Sequence, residues 1–496
     1  MRNRVQEIKR SSGRLAILVL GILAAAGPAS AQNNYYFAHL ALGGAAATGG
    51  WQTTITYINY SPSSVTCTTN FFTDSGAPLA VPFAGGAANS VRTDIIAGGG
   101  SVHLESTAAL VDPTLTGWAK ASCTGPVKAS LLFRDYRAGV PEAESGVNAM
   151  TDLKTTFVTF AEPQTGVAYA NPSTQSATVT FTVFNESGAQ LGTKNDTLAP
   201  NEHKANNVGP FLGLSNFKGS LKITSTVGIT SLALNFEASQ PNKLVFSSLP
   251  PGDIDAAGPY YFTHLALGGF VDTPLASGGG AWQSTLTYIN SSTQSVTCTT
   301  SFYTTSGAAL AVSFGGGGAV SSRIDTLAAG GSLHVESTAS TNAQTVTGWA
   351  QAACSGTIKA SLLFRLYLTG NAPVAEAGLN GTSTVTNKFV SFGEKQTGFA
   401  IANLTFLPVG ITITAFDTAG KVAGTTGMFL LPRQQRSDNL APLLGLSSFT
   451  GSVQITSSLP FVALSLNFEA TTPSNFIFSA LPPGELDSAT PLATGN

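Results

Sequence analysis

The sequence predicts an all-β protein of four tandem antiparallel β-sandwich modules arranged as two long repeats. Three observations predict it. The stretch from Tyr35 to Asp253 returns from Tyr260 to Glu485: YYFAHLALGG becomes YYFTHLALGG, SLLFRDY becomes SLLFRLY, and SSLPPGD becomes SALPPGE. Within each long repeat a weaker copy appears, since TYINYSPSSVTCTTNFFTDSG matches AYANPSTQSATVTFTVFNESG. Such periodic self-similarity marks a tandem architecture. The third observation is local. QTTITYIN, VTCTTNFF, ATVTFTVF and ITSLALNF are short runs rich in β-branched and aromatic residues, separated by Gly, Pro, Asn and Ser-Gly, which is strand-and-turn chemistry.

Taken in order, residues 1–31 read as an export signal. Arg2, Arg4, Lys9, Arg10 and Arg14 precede the apolar run 15–26, and Ala29, Ser30 and Ala31 supply a small-residue cleavage site. The apolar run is too short for a spanning helix. The modules are expected at 35–150, 151–255, 258–381 and 382–487, with a disordered tail at 488–496. Leu-Pro-Pro-Gly closes the second and fourth, where proline ends a strand. A transmembrane barrel is disfavoured because the strands are short and the repeat unit is the size of a compact domain.

Without the leader's five basic residues and Glu7, the 24 Lys+Arg and 26 Asp+Glu of the chain leave a formal charge of −6. No basic patch is visible, so nucleic acid is excluded as a partner. Only 10% of the chain is charged, so its polar faces must be built from Ser, Thr, Asn and Gln. Such a surface suits self-association or contact with a neutral polymer.

Cys67 and Cys123, and Cys298 and Cys354, are 56 residues apart in both pairs. One disulfide per long repeat is expected, formed in an oxidising compartment. Alignment with apolar positions of the other modules turns the cysteines inward, and an inter-sheet bridge is expected. Closing such a loop stabilises by about 4 kcal/mol in the chain-entropy model. The same register sends Trp118 to the opposite face from Cys123, in a row with Lys120 and Ser122, and Trp349 likewise beside Gln351. Two readings stand for these residues: cover by a loop or a neighbouring module, or, with Trp51 and Trp282, an aromatic binding platform.

Arg134 and Arg365 follow the apolar SLLF strand, and Glu144 and Glu376 come shortly after. A charge beside a core strand requires a partner, so Arg134–Glu144 and Arg365–Glu376 are expected as structural ion pairs. His103 and Glu105, and His334 and Glu336, share a strand face but have no third ligand or nucleophile nearby. His39 and His264 match across the long repeats, whereas His203 aligns with Gln435 and reads as outside the repeated design. There is no G-x-S-x-G, H-E-x-x-H or P-loop, and Gly98, Gly99 and Gly100 form a loop. No catalytic residue, metal site or cofactor is expected.

The motifs GWQ-TYIN, G-W-A and LPPG, over nearly all of the mature chain, resemble those of immunoglobulin-like sandwich modules carried in tandem by secreted bacterial proteins. The resemblance implies adhesion or scaffold roles and no catalytic residues. The first functional expectation is therefore an exported, non-enzymatic protein of the periplasm, cell surface or extracellular space, binding a cell-surface or matrix protein. The second is a carbohydrate-binding protein that meets neutral glycan through exposed Trp residues. A hydrolase would need catalytic carboxylates that the sequence does not display.

Overall fold

A computed structural model describes residues 32–45, 49–84, 86–107, 112–137, 139–240, 243–248, 258–270, 279–338, 344–368, 373–394, 396–472, 475–481 and 484–485. The leader, the two prolines of each Leu-Pro-Pro-Gly and the tail lie outside these residues. The fold is all-β, 69% strand and 2% helix.

Module one comprises β1 (Asn33–Ala45), β2 (Gly49–Ile58), β3 (Val65–Thr73), β4 (Val91–Ile96), β5 (Ser101–Glu105), β6 (Leu115–Cys123), β7 (Lys128–Arg137) and β8 (Val140–Asn148). One layer runs β4-β3-β6-β1 and the other carries β5, β2, β7 and β8. β1 joins both, since its first ten residues pair with β6 and Gly43 to Ala45 pair with β2. Alternation sends Phe37, Phe71, Ala119 and Ala121 of one layer and Ile55, Tyr57, Leu131 and Phe133 of the other into one core. The Tyr57 hydroxyl crosses it to Thr69 Oγ1 at 2.8 Å.

Module two has β9 (Lys154–Ala161), β10 (Gly166–Ala170), β11 (Ala177–Asn185), β12 (Gln190–Leu198), β13 (His203–Asn207), α1 (Val208–Leu212), β14 (Gly219–Gln240) and β15 (Lys243–Ser248). Here the counterparts of β6 and β7 are fused. Module one interrupts them at Pro126, whereas β14 runs through 22 residues with a register shift between Thr224 and Ile229, pairing β11 and β9 in one layer and β10 and β15 in the other. Module three repeats module one, with β16 (Pro259–Phe270), β17 (Gly280–Ile289), β18 (Val296–Thr304), β19 (Ser322–Leu327), β20 (Ser332–Glu336), β21 (Val346–Cys354), β22 (Lys359–Leu368) and β23 (Pro373–Asn380). Module four repeats module two, with β24 (Thr386–Glu394), β25 (Thr397–Asn403), β26 (Val409–Asp417), β27 (Val422–Leu430), β28 (Gln435–Asn439), α2 (Leu440–Leu443), β29 (Thr450–Thr472), β30 (Asn475–Leu481) and the short β31 (Gly484–Glu485).

Both disulfides form, Cys67–Cys123 and Cys298–Cys354. They correct one expectation: each bridge lies within a layer. Cys67 stands directly opposite Cys123 on paired strands, with Cα atoms 4.1 Å apart. That is a cross-strand separation, whereas packed sheets stand roughly 10 Å apart. Cys67 and Cys123 do face the core, but alternation alone does not distinguish a strand neighbour from a residue across the core.

The four modules close into a ring. The amide that opens the fifth strand of one module donates to a carbonyl of the preceding module's hairpin turn. His203 N donates to Asp74 O at 3.0 Å, Ser332 N to Glu186 O at 3.0 Å, Gln435 N to Thr305 O at 3.0 Å, and Ser101 N to Thr418 O at 3.2 Å. The fourth contact returns from module four to module one. Each is head-to-tail, the geometry that generates closed rings when the rotation permits. The turns carry Gly76, Gly188, Gly307 and Gly420 at positive φ, and the receiving loops carry Gly99, Asn201, Gly330 and Arg433 there. At the centre the last strands meet in the same cyclic order, β8 against β15 and β30, and β23 against both.

Candidate functional site: the seams between modules

The residues singled out for chemistry converge on the seams. Trp118 does face away from its own core, but it is only 1% exposed. It stacks on Phe72 and packs with Tyr36 and module two's Ala170, and its Nε1 donates to Asn201 O at 2.7 Å. Trp349 repeats this against module four, stacking on Tyr303, packing with Ala402 and Val462, and donating to Arg433 O at 2.9 Å. Trp51 meets Phe246 edge-on at 5.4 Å, and Trp282 meets Phe478 likewise at 5.4 Å. Of the two readings, cover by the neighbouring module holds for Trp118 and Trp349, which are not exposed as a binding platform, and Trp51 and Trp282 are half-buried against the same neighbours.

Arg134 Nη2 lies 2.6 Å from Glu144 Oε2, and Arg365 Nη2 lies 2.6 Å from Glu376 Oε2. Both carboxylates sit on the central strands and reach across modules. Glu144 accepts from Ser479 Oγ of module four at 2.6 Å; Glu376 accepts from Ser247 Oγ and, at 3.3 Å, Asn235 Nδ2 of module two. Ser248 adds bonds to Ser145 Oγ and Gly146 O. Small residues let the central strands approach, and the second carboxylate oxygen finds a hydroxyl on the neighbour. Buried charges of this kind persist only when such partners satisfy them.

The seams between modules four and one and between modules two and three also stack histidine on phenylalanine. His103 stacks on Phe392 of module four and His334 on Phe160 of module two, with ring centres 4.5 Å apart in both. Each lies near its strand-mate carboxylate, His103 Nε2 to Glu105 at 3.7 Å and His334 Nε2 to Glu336 at 3.3 Å. The hydrogen bond from His334 and the charge of Arg365 hold the Glu336 carboxyl down at about 2. Glu394 enters the first of these seams; burial raises its pKa, as do the charges of Glu144 and Glu105, against His103 and Arg134.

His203 aligns with Gln435 and reads as outside the repeated design, yet both side chains fill one slot. His203 Nε2 lies 3.0 Å from His39 Nδ1, and Gln435 Nε2 lies 3.0 Å from His264 Nδ1. Two dissimilar residue types hydrogen-bond the same ring, which alignment by type conceals. In the first seam the chain continues, because His203 Nδ1 bonds Asp74 Oδ1 at 2.8 Å. Burial, and then the charge of His203, drive the His39 pKa down to about 3. Burial brings His264 to about 4. Both rings are held neutral.

One repeated signal was missed. Asn59, Asn171, Asn290 and Asn403 are fully buried. Each Nδ2 lies within hydrogen-bond distance of two loop carbonyls and the carbonyl that ends the edge strand, and each Oδ1 accepts from a hydroxyl two residues later. The fourfold N-x-S/T was legible but is usually read as a surface sequence. Here it locks a loop beside the receiving loop of the ring contact.

Among the described residues no group of three or more His, Cys, Asp or Glu is placed to hold a metal ion, and no helix is long and apolar enough to cross a membrane. No protein-family model matches the chain, and a search of curated proteins returned no match.

Proposed function

We propose that this chain is an exported, non-enzymatic scaffold of immunoglobulin-like modules that acts by adhesion at a cell surface, envelope or matrix. The carrying observation is the head-to-tail amide–carbonyl contact made four times around the ring. It supports the reading because the tryptophans, the Arg–Glu pairs and the histidines then join modules together. The outer faces are left to neutral rows such as Thr66 and Thr68, Thr178 and Thr180, Thr297 and Thr299, and Thr412 and Thr414. Two disulfides fit an oxidising compartment. With the four tryptophans in the seams, the carbohydrate reading loses the residues on which it depended.

The test is retention of the purified mature chain on envelope and extracellular-matrix fractions, with a panel of chromogenic ester, peptide and glycoside substrates run in parallel. Saturable retention without turnover is expected. Hydrolysis that disappears in Glu394→Gln or His39→Gln would replace this reading with an enzyme.

A further inference from the structure

We propose that the outer corner of module four, formed by β27 and the loop before β26, is a docking surface for a second copy of this chain. Each module has one edge strand on its outer layer: β4, β12, β19 and β27. Edge strands offer unpaired backbone groups, and charged side chains commonly guard them. β4 carries Arg92 and Asp94, β12 carries Lys194 and Asp196, and β19 carries Arg323 and Asp325. β27, VAGTTGMFL, carries no charge over nine residues, and among the described residues it pairs with β26 alone.

The same corner gathers four exposed large apolar side chains, more than any of its counterparts. Phe406, Leu407, Phe429 and Leu431 are 73%, 62%, 80% and 58% exposed. Register places Ile95, itself 74% exposed, Thr197 and Thr326 at the position of Phe429, and Ala97, Ala199 and Ala328 at that of Leu431. Counting from the buried Asn, Pro62-Ser63, Thr174-Gln175 and Thr293-Gln294 stand where module four has Phe406-Leu407. Asn403 Nδ2 lies within hydrogen-bond distance of the carbonyls of Leu407, Leu430 and Leu431, so loop and strand end form one patch.

Two features select a second copy as the occupant. Beside Phe429 lies an open groove of about 580 Å³, floored by Gly410, Thr412, Gly427, Thr456 and Ser457. A protruding ring next to a glycine-floored groove on one face is self-complementary, as an isologous two-fold contact requires. The area also suffices. Two exposed Phe and two exposed Leu offer on the order of 500 Å² per copy. Two copies therefore bury roughly 1,000 Å² before the paired strands are counted, the lower bound for a specific interface. With no charge on β27, antiparallel pairing of the two strands brings no like charges together; the cation at the patch, Arg433, lies over the Phe406 ring at 4.7 Å. The inference stands apart from the adhesion reading, since it holds whatever the ring adheres to.

The test is sedimentation velocity of the full mature chain over a wide concentration range. The partner variant is Phe406→Thr, Leu407→Gln, Phe429→Thr and Leu431→Ala, which installs the residues that module three carries at these positions. The wild type is expected to reach twice the chain mass, and the variant to dissociate at least about tenfold more readily. Hydrogen exchange on the wild type gives a second readout that needs no substitution: amides of Val422–Leu430 should slow as concentration rises. A wild type that stays at the single-chain mass throughout overturns the proposal and leaves the face to a different occupant. A dimer that persists undiminished in the variant, or protection at β4 in place of β27, overturns it as well.

Discussion

Gly188 and Gly420 show how closely the ring contact is fitted. A Cβ built on Gly188 would lie 2.1 Å from Ala329 O, and one on Gly420 2.1 Å from Gly98 O; both residues have positive φ, 85° and 83°. Alanine there combines backbone strain with a clash against the next module's main chain. Gly420→Ala is expected to open the contact between modules four and one, read as faster hydrogen exchange at the Ser101 amide, with the module cores still protected. Trp118 gives the second prediction at this scale. As a buried aromatic whose Nε1 satisfies Asn201 O, its change to Ser should cost about 3–5 kcal/mol in denaturant unfolding of the full chain. A loss within error would return it to a free surface.

Single elements carry the next expectations. β3 and β6 are clipped by Cys67–Cys123, and replacing both cysteines with Ala should cost about 4 kcal/mol in the chain-entropy model. Even modules lack the clip and place Val179 opposite Ser225 at the same cross-strand position; their β14 and β29 instead run unbroken from one layer into the other. On the central strands, Glu376→Leu removes the closer carboxylate of the buried Arg365 and leaves it Glu336 at 3.4 Å; the change should cost about 3 kcal/mol. The double change Arg365→Met, Glu376→Leu should recover much of that loss, as chemical unfolding can measure.

The ring as a whole should be acid-labile. His39 and His264 are neutral in the folded state, with pKa values near 3 and 4, against about 6.5 in the unfolded chain. A depressed histidine pKa means that the unfolded chain binds the proton more readily, so stability is intact above pH ~6.5 and declines as pH falls toward the folded values. Asp74, lowered by its bond to His203, loses its contribution on acidification too, at lower pH. The expected outcome is a falling thermal midpoint between neutral pH and pH ~4.5. The decline should be shallower in His264→Gln, which has no imidazole to protonate at the seam between modules three and four. A midpoint indifferent to pH in this window would show that the rings are not held neutral.

The sequence by itself determined the strand content, the four modules and their order, the inward cysteines and the two Arg–Glu pairs. All of these follow from period-two alternation, turn residues and the requirement that a charge beside a core strand find a partner, and such rules act within one module. Tertiary structure alone decided what covers Trp118 and Trp349, that both disulfides lie within a layer, that His203 and Gln435 occupy one slot, and that module four docks back on module one. Alternation states which face a side chain takes, but nothing local states whether that face meets water or a neighbour. Ring closure depends on the angle between modules, which follows from the packing of residues hundreds of positions apart. Ser452 Oγ, bonded to Gly99 O at 2.9 Å across 353 residues, is one such contact.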